Sequence, residues 1–458
     1  MKESLIVSAS GIRGVVGEGL TPEVGARYGA AFGSWARDRA GGRRGAVLVG
    51  RDSRTSGEMM LDAVSAGIRS VGVDVLDLGV VATPTGLLAV EESDEALGGL
   101  LVTASHNPAE WNGLKLVAPE GRFLTPEDGR DVERRFRDGV VGAAWDAVGS
   151  RTALAGANER HVARVLALPI IDPDLVASRD FLVALDCVRG AGAFTMLPLL
   201  EALGCRVVGI DLEPDGRFPR PPEPIPENLG RLGELVRREG ADLGLAVDPD
   251  VDRLALVDAT GTPVGEDWTL ALAVELVGAA EPGPVVTNLS SSRTIQDAAD
   301  RVGVPFHRAP VGEANVVARM REVGATIGGE GNGGVIYPAL HLTRDAPLAA
   351  ALILQLLART QLPLGQIVRD RPGYRIVKQK VERGGLAVPE LLRKLHDSAP
   401  KGVAGDTQDG IRLDWPDGAW VHVRPSGTEP ILRIVAEAQQ DERAGELADW
   451  VRMLVLPM

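Results

Sequence analysis

The chain is 458 residues long, 45% apolar and 24% charged, with a formal net charge of −14. At about 150 residues per domain this length suggests about three domains, with two to four reasonable, and no disulfide or structural metal is needed for folding. The acidic balance opposes partners such as nucleic acid or an anionic membrane, and an aromatic share of 4% leaves few platforms for stacked bases.

In chain order, the apolar pattern predicts strands at 46–50, 73–78 and 97–103, with a helix at 57–70 between the first two. A small-residue segment at 142–156 follows, then a helix at 159–168. The rhythm repeats with a strand at 181–185, a helix at 191–203 and strands at 206–210, 243–247 and 254–257. A third round has strands at 285–288 and 304–307 and helices at 293–302 and 312–323. This is βα architecture with mixed or parallel sheets. Six prolines between Glu213 and Glu227 mark a rigid loop inside the second round. The 13 uncharged residues at 346–358 suit a buried helix rather than a membrane crossing. After Pro372 the rhythm changes: strands at 374–381, 411–415, 420–423 and 431–436, with helices near 389–398 and 440–454, form an α+β unit.

Cys187 and Cys205 lie in apolar segments and read as reduced core thiols of a cytoplasmic protein. The opening Met1-Lys2-Glu3-Ser4 carries an acidic residue and no long apolar run, so no signal peptide is expected.

Four polar loops carry the chemistry. Thr103-Ala104-Ser105-His106-Asn107-Pro108 follows an apolar run, at the strand end where α/β proteins bind ligands. A capped turn, with Ser105 and Asn107 bonding only the backbone, is the plainer alternative. Asn112-Gly113-Leu114-Lys115 reads as a turn entering another strand, with a lysine close to the serine loop. Asp248-Pro249-Asp250-Val251-Asp252-Arg253 sets three carboxylates at alternate positions. They face one side if the chain is extended and converge if it curls. Three such charges repel unless a cation joins them, and an oxygen-only donor set points to Mg²⁺. Gly328-Gly329-Glu330-Gly331-Asn332-Gly333-Gly334 lets backbone approach a ligand and offers two side chains to read hydroxyls. Arg424-Pro425-Ser426-Gly427-Thr428-Glu429-Pro430, with Arg433 beyond, makes a phosphate cradle unlike a P-loop. Together these parts suit moving phosphate on a polyol.

From Ser10-Gly11-Ile12-Arg13-Gly14 to the loop ending at Arg433, the chain resembles the α-D-phosphohexomutases over nearly its whole length. That family contains phosphoglucomutase, phosphomannomutase and phosphoglucosamine mutase. The resemblance implies three related mixed α/β domains and a C-terminal α+β domain around a central cleft. The expected divisions are 1–150 for the phosphoserine, 151–256 for the metal, 257–370 for the sugar and 371–458 for the distal phosphate. It further implies phosphoserine at Ser105, with Asp248, Asp250, Asp252 and the serine phosphate as Mg²⁺ ligands. His106 and Lys115 become proton-transfer candidates, and Arg13 and Arg253 cations at the same site. Glu330 and Asn332 would read the sugar, while Arg424, Ser426, Gly427, Thr428 and Arg433 hold the phosphate that is not transferring.

The implied reaction interconverts hexose 6-phosphate and 1-phosphate through a hexose 1,6-bisphosphate, which also serves as activator. Partners are small sugar phosphates, with no nucleic acid and no membrane, and the expected state is a monomer or homodimer. Better-known bacterial members usually carry Glu-x-Ser-Gly-His in the sugar loop, where this chain has Glu330-Gly331-Asn332-Gly333-Gly334. The asparagine form resembles archaeal-type members and some bacterial relatives. The reading leans to phosphoglucosamine mutase, with phosphomannomutase/phosphoglucomutase as the alternative. A Mg²⁺-dependent sugar-phosphate phosphatase using Asp250 or Asp252, and a non-enzymatic sugar-phosphate sensor, are the rivals of other classes. Each leaves the serine loop or the distal clamp without a role.

Overall fold

The strand Ala96–Val102 is buried at every position, as a strand covered on both faces requires. It lies near the centre of a mixed sheet ordered Leu5–Ser8, Gly11–Val15, Trp111–Ala118, Ala96–Val102, Ala46–Arg51, Asp74–Val80 and Arg151–Ala153. Its neighbour Trp111–Ala118 runs antiparallel to it and Ala46–Arg51 parallel. The computed structural model describes residues 5–8, 11–382, 387–425 and 431–455.

Two elements ahead of residue 46 had no counterpart in the sequence pattern: the hairpin Leu5–Ser8/Gly11–Val15 and the helix Pro22–Arg39. Glycines at positions 25, 29 and 33 obscure the helix, since glycine lowers helical propensity. They are packing surfaces instead. A Cβ at Gly29 would lie 2.4 Å from the Val64 carbonyl oxygen, so the helix Gly57–Ser70 can approach only because none is there. Asn112 and Gly113, read as a turn, lie inside the strand Trp111–Ala118, because pairing with Gly11–Val15 keeps them extended.

A second mixed sheet is ordered Arg206–Ile210, Leu182–Asp186, Leu243–Val247, Leu254–Asp258, parallel except for its last pair. The segment expected as one helix from 191 divides into a short 3-10 turn, Ala191–Phe194, and the helix Met196–Ala202. The uncharged run becomes the helix Ala346–Thr360, buried from Ala346 through Ala358. Among the described residues no helix is long and apolar enough to cross a membrane. Cys187 and Cys205 are buried free thiols, and burial raises the pKa of each.

Two compact units result, and they cut across the four-domain division. One comprises Met1–Thr269 with Gly334–Gly365; the other comprises Leu270–Gly333 with Gln366–Met458. In the second unit, Phe306–Ala309, Val285–Asn288 and Ile327–Glu330 pair in parallel. The last α+β part is an antiparallel sheet ordered Arg375–Glu382, Ile431–Ala438, Trp420–Pro425, Ile411–Asp414, Ala404–Asp406. Buried polar groups tie it to the parallel strands of the same unit. His422 Nδ1 lies 2.8 Å from Ser290 Oγ, Arg412 donates to the Leu289 carbonyl at 2.6 Å, and Glu437 accepts from Arg293 N at 2.8 Å.

Candidate active site

Ser105 is 2% exposed and sits at φ 53°, the left-handed region that a residue with a side chain enters only under constraint. Its Oγ lies 3.2 Å from His106 Nδ1 and donates to Asp248 Oδ2 at 3.3 Å. Burial, then the charges of Arg253 and Arg13, push the His106 pKa down to about 2. The ring is therefore neutral at working pH, a hydrogen-bonding partner of Ser105 Oγ and only a weak base.

Between strands Leu243–Val247 and Leu254–Asp258 the acidic loop curls through Val251, whose φ is 63°. The curl decides between the two arrangements open in the sequence: the carboxylates converge, their nearest oxygens all within 4.8 Å of one another. All three residues are at most 1% exposed. Asp248 Oδ1 accepts from the backbone N–H groups of Asp252 and Arg253 at 3.1 and 3.3 Å. Asp250 Oδ2 accepts from Thr83 Oγ1 and Lys115 Nζ, each at 2.6 Å. Asp252 Oδ2 accepts from Arg344 Nη2 at 2.6 Å.

That leaves Asp250 Oδ1 and Asp252 Oδ1 buried with no hydrogen-bond partner. Orphaned carboxylate oxygens of this kind are costly unless a cation takes them, and an all-oxygen set suits a hard one such as Mg²⁺. Electrostatics agree. Burial, then repulsion from Asp252 and Asp250, raises Asp248 far above the usual carboxylate range. Burial raises Asp250 as well, but Lys115 and Thr83 hold it below that range overall.

Four cations surround the cluster. Strand pairing places Arg13 opposite Gly113, two positions from Lys115, so both side chains project from one face of the sheet. A Cβ at Gly113 would meet the carbonyl oxygens of Ile12 and Thr103, each at 2.7 Å, which accounts for glycine there. Asp250, Asp252, Arg253 and Arg344 all bear on the charge of Arg13. Arg253 Nη1 donates to Glu223 Oε1 at 2.9 Å, and His106 Nε2 lies 3.9 Å from the same oxygen. Glu223 belongs to the proline-rich loop.

Glu330, Asn332, Arg424 and Arg433 lie in the second unit. Glu330 Oε1 accepts from Asn288 Nδ2 at 2.9 Å and Gly312 N at 3.2 Å, while Asn332 Nδ2 donates to its Oε2 at 3.4 Å. The first glycine of that loop serves packing rather than ligand approach. A Cβ on Gly328 would meet Met320 Sδ and the Val286 carbonyl oxygen, each at 2.6 Å. Arg424 and Arg433 are directly opposed across the strands Trp420–Pro425 and Ile431–Ala438, and Lys380 opposes Arg433 from the other side. The row is cationic, with Asp409 Oδ2 3.4 Å from Arg424 Nε. Ser426, Gly427 and Thr428 lie outside the described residues.

Sequence reasoning missed Asp52, Arg54, Thr83, Glu223 and Arg344. Asp52, Arg54, Thr83 and Arg344 stand in no loop of unusual composition, the prolines rather than the acid marked the loop of Glu223, and each acts through a partner distant in sequence. It also missed a buried network in which His161 and His341 share Asp345 Oδ2 at 2.7 and 2.8 Å. Asp345 Oδ1 meanwhile caps the following helix by accepting from Leu348 N at 2.8 Å. These residues could group about a metal ion, but their direct mutual bonds make them an anchor for the adjacent Arg344.

Comparison with known proteins follows this layout. Residues 4–140, 159–261 and 265–374 match alpha/beta/alpha domains I, II and III of phosphoglucomutase/phosphomannomutase, and 376–453 match its C-terminal domain. A "probable phosphoglucosamine mutase" of Methanopyrus kandleri is 39% identical, covering 96% of this chain and 95% of its own. A phosphoglucomutase/phosphomannomutase of Thermococcus kodakarensis is 38% identical, covering 95% of both. Among solved structures, a phosphoglucomutase/phosphomannomutase family protein of Burkholderia thailandensis superposes with a TM-score of 0.86 at 28% identity, over 98% of this chain and 97% of that one. With all four domains matched in order and relatives this similar over nearly the full length, the chain belongs to the phosphoglucomutase/phosphomannomutase family.

Proposed function

We propose that the protein is a phosphohexomutase, first of all a phosphoglucosamine mutase, working through phosphoserine at Ser105. The observation that carries this reading is the hydroxyl of Ser105 held 3.3 Å from Asp248, beside a cluster of carboxylates with two buried oxygens that have no hydrogen bond. In the first half-reaction the bond between phosphorus and Ser105 Oγ breaks as one forms to the free hydroxyl of a hexose monophosphate. The sugar hydroxyl gives up its proton and Ser105 Oγ regains one. We assign this proton transfer to Lys115 or His106, the first bound to Asp250 Oδ2 and the second 3.2 Å from Ser105 Oγ. The bisphosphate turns, and its other phosphate returns to Ser105.

Asp248, Asp250 and Asp252, with the serine phosphate, would hold Mg²⁺, which supplies neutralising charge to the oxygens of the transferring group. Arg13, Arg253 and Lys115 add positive charge around the same oxygens. In the second unit Glu330 and Asn332 read the sugar, and Arg424, Arg433 and the 426–428 loop clamp the other phosphate. We assign the division of labour among 1–150, 151–256, 257–370 and 371–458 accordingly, and a cytoplasmic setting from the reduced thiols.

A second reading, phosphomannomutase/phosphoglucomutase, has support of its own: the relative at 38% identity bears that name, against 39% for the phosphoglucosamine mutase. The test is a parallel rate comparison on glucosamine, glucose, mannose and N-acetylglucosamine phosphates, each with a trace of its bisphosphate. Fastest turnover on glucosamine phosphate supports the first reading, and on mannose or glucose phosphate the second. Steady release of inorganic phosphate, or full turnover by Ser105→Ala, would remove both.

A further inference from the structure

We infer that Asp52, Arg54 and Thr103 are positioning residues of phosphoryl transfer, holding the Ser105 backbone so that its hydroxyl faces the carboxylate cluster. The inference rests on the mutase reading. Arg54 is 1% exposed although it carries a full charge. Its Nη2 donates to the carbonyl oxygens of Ser105 and Asn107 at 2.6 and 2.7 Å. Its Nη1 donates to those of Pro108 and Trp111 at 2.6 and 2.9 Å. Nε donates to Asp52 Oδ2 at 3.0 Å. All five N–H groups of the guanidinium are thus used, three of them on the serine loop and one on Trp111, which opens the next strand.

The same carboxylate reaches Ser105 by a second route. Asp52 Oδ2 accepts from Thr103 Oγ1 at 2.7 Å, and Thr103 Oγ1 accepts from Ser105 N–H at 3.0 Å. The Ser105 peptide is therefore held at both ends, its N–H by Thr103 and its carbonyl by Arg54. This is what a left-handed serine needs to persist. A lysine at position 54 has only three donors, in no planar fork, and cannot reproduce the arrangement.

The proline-rich loop closes over this staple. The Phe218 ring centroid lies 4.9 Å from Arg54 Cζ. Gly216, at φ 70°, has no room for a Cβ, which would stand 2.3 Å from the Ser53 carbonyl oxygen and 2.7 Å from Arg54 Cα. Ser53 Oγ donates to the Arg189 carbonyl oxygen at 2.7 Å, fastening the same junction. Kept from water, the hydrogen bonds of the staple are strong and leave little freedom to the loop they hold.

The test uses the full-length protein, dephosphorylated and with Mg²⁺ present. Glucose 1,6-bisphosphate is added, and phosphate on Ser105 is followed by rapid-quench intact mass alongside steady-state kinetics. Wild type, Arg54→Lys, Thr103→Val and Thr103→Ser are compared. Arg54→Lys and Thr103→Val are expected to load and turn over about 10- to 100-fold more slowly, the scale of a misplaced reacting group, with KM changed less than about twofold. Thr103→Ser keeps the hydroxyl and should stay near wild type. If Arg54→Lys does not fold, the two Thr103 variants decide. Wild-type loading by Thr103→Val, equal slowing by Thr103→Val and Thr103→Ser, or a rise in KM at unchanged kcat would overturn the inference alone. A wild-type protein that takes no phosphate from the bisphosphate would overturn the mutase reading, and this inference with it.

Discussion

Arg344 Nη2 donates to Asp252 Oδ2 at 2.6 Å across 92 positions of sequence. Lys115 does the same to Asp250 Oδ2 at 2.6 Å. The protein's own cations thus occupy one oxygen of each of these two carboxylates, and the other oxygens, both Oδ1, are buried without a hydrogen bond, Asp252 Oδ1 lying 3.7 Å from Arg253 Nε. One side of the cluster is hydrogen-bonded to cations, while the other presents oxygens that could join a metal ion.

This division separates the aspartates by experiment. Asp248 carries the costliest charge, so Asp248→Asn should leave metal-free stability unchanged or higher, since an amide oxygen can still accept from Asp252 N. Asp250→Asn removes the counter-charge of the buried Lys115 and should cost about 1–3 kcal/mol in chelator. Both should lose Mg²⁺ affinity and activity steeply. Urea unfolding with and without Mg²⁺ reads the contrast, and equal metal-free stabilities would contradict it.

Asp345→Ala should destabilise the first unit by about 3 kcal/mol, because two buried histidines and a helix cap lose their shared acceptor. It should also weaken Mg²⁺ binding several-fold. The same segment holds the metal loop through Arg344 and through the Ala346 N–H, which donates to the Val251 carbonyl at 3.2 Å. Calorimetric titration with Mg²⁺ checks the coupling; unchanged affinity in the folded variant would show the anchor to be structural only.

Arg424 Nε lies 3.4 Å from Asp409 Oδ2, which accepts from Val311 N at 3.1 Å. The next N–H, on Gly312, donates to Glu330. The proposed clamp and sugar reader therefore share one scaffold. Arg424→Ala should raise KM about 10- to 100-fold in both directions, as loss of a charge-assisted phosphate contact does. It should also release bisphosphate before the second transfer, so that added glucose 1,6-bisphosphate partly restores the rate. An unchanged KM with an unchanged ratio of bisphosphate to monophosphate in single turnovers would place the clamp elsewhere.

His422 predicts an acid-sensitive second unit. Burial holds its pKa down to about 4, against an ordinary 6.5. Between those values the unfolded chain binds the proton more strongly, so stability is lost as pH falls from about 6.5 towards 4, then levels off. The full loss amounts to roughly 3 kcal/mol. Unfolding midpoints of wild type and His422→Gln across this range should diverge at pH 7 and converge near pH 4. Parallel pH profiles would contradict the assignment.

The helix Gly57–Ser70 and the strands Arg206–Ile210 and Val285–Asn288 were legible residue for residue, because apolar periodicity and flanking turn residues report burial directly. The helix Pro22–Arg39 was not, since its glycines signal weak propensity unless the helix packed on them is known. Asn112-Gly113 read as a turn because that pair favours one locally, and the pairing of Gly11–Val15 overrode it.

Ser105 and the three aspartates were visible because polar side chains at the ends of buried apolar strands cost desolvation unless a turn or a ligand uses them. By itself, then, the sequence determined the α/β order, the carboxylate loop and the serine loop. Such features are local, set by patterns within a dozen residues. Only the tertiary structure decided that the carboxylates converge and that Lys115 and Arg344 take one oxygen from each of two of them. The same holds for the staple that Arg54 makes beneath Ser105. Those arrangements depend on side chains brought together by sheet pairing and loop packing, and burial makes each unsatisfied oxygen or charge costly enough to require its partner.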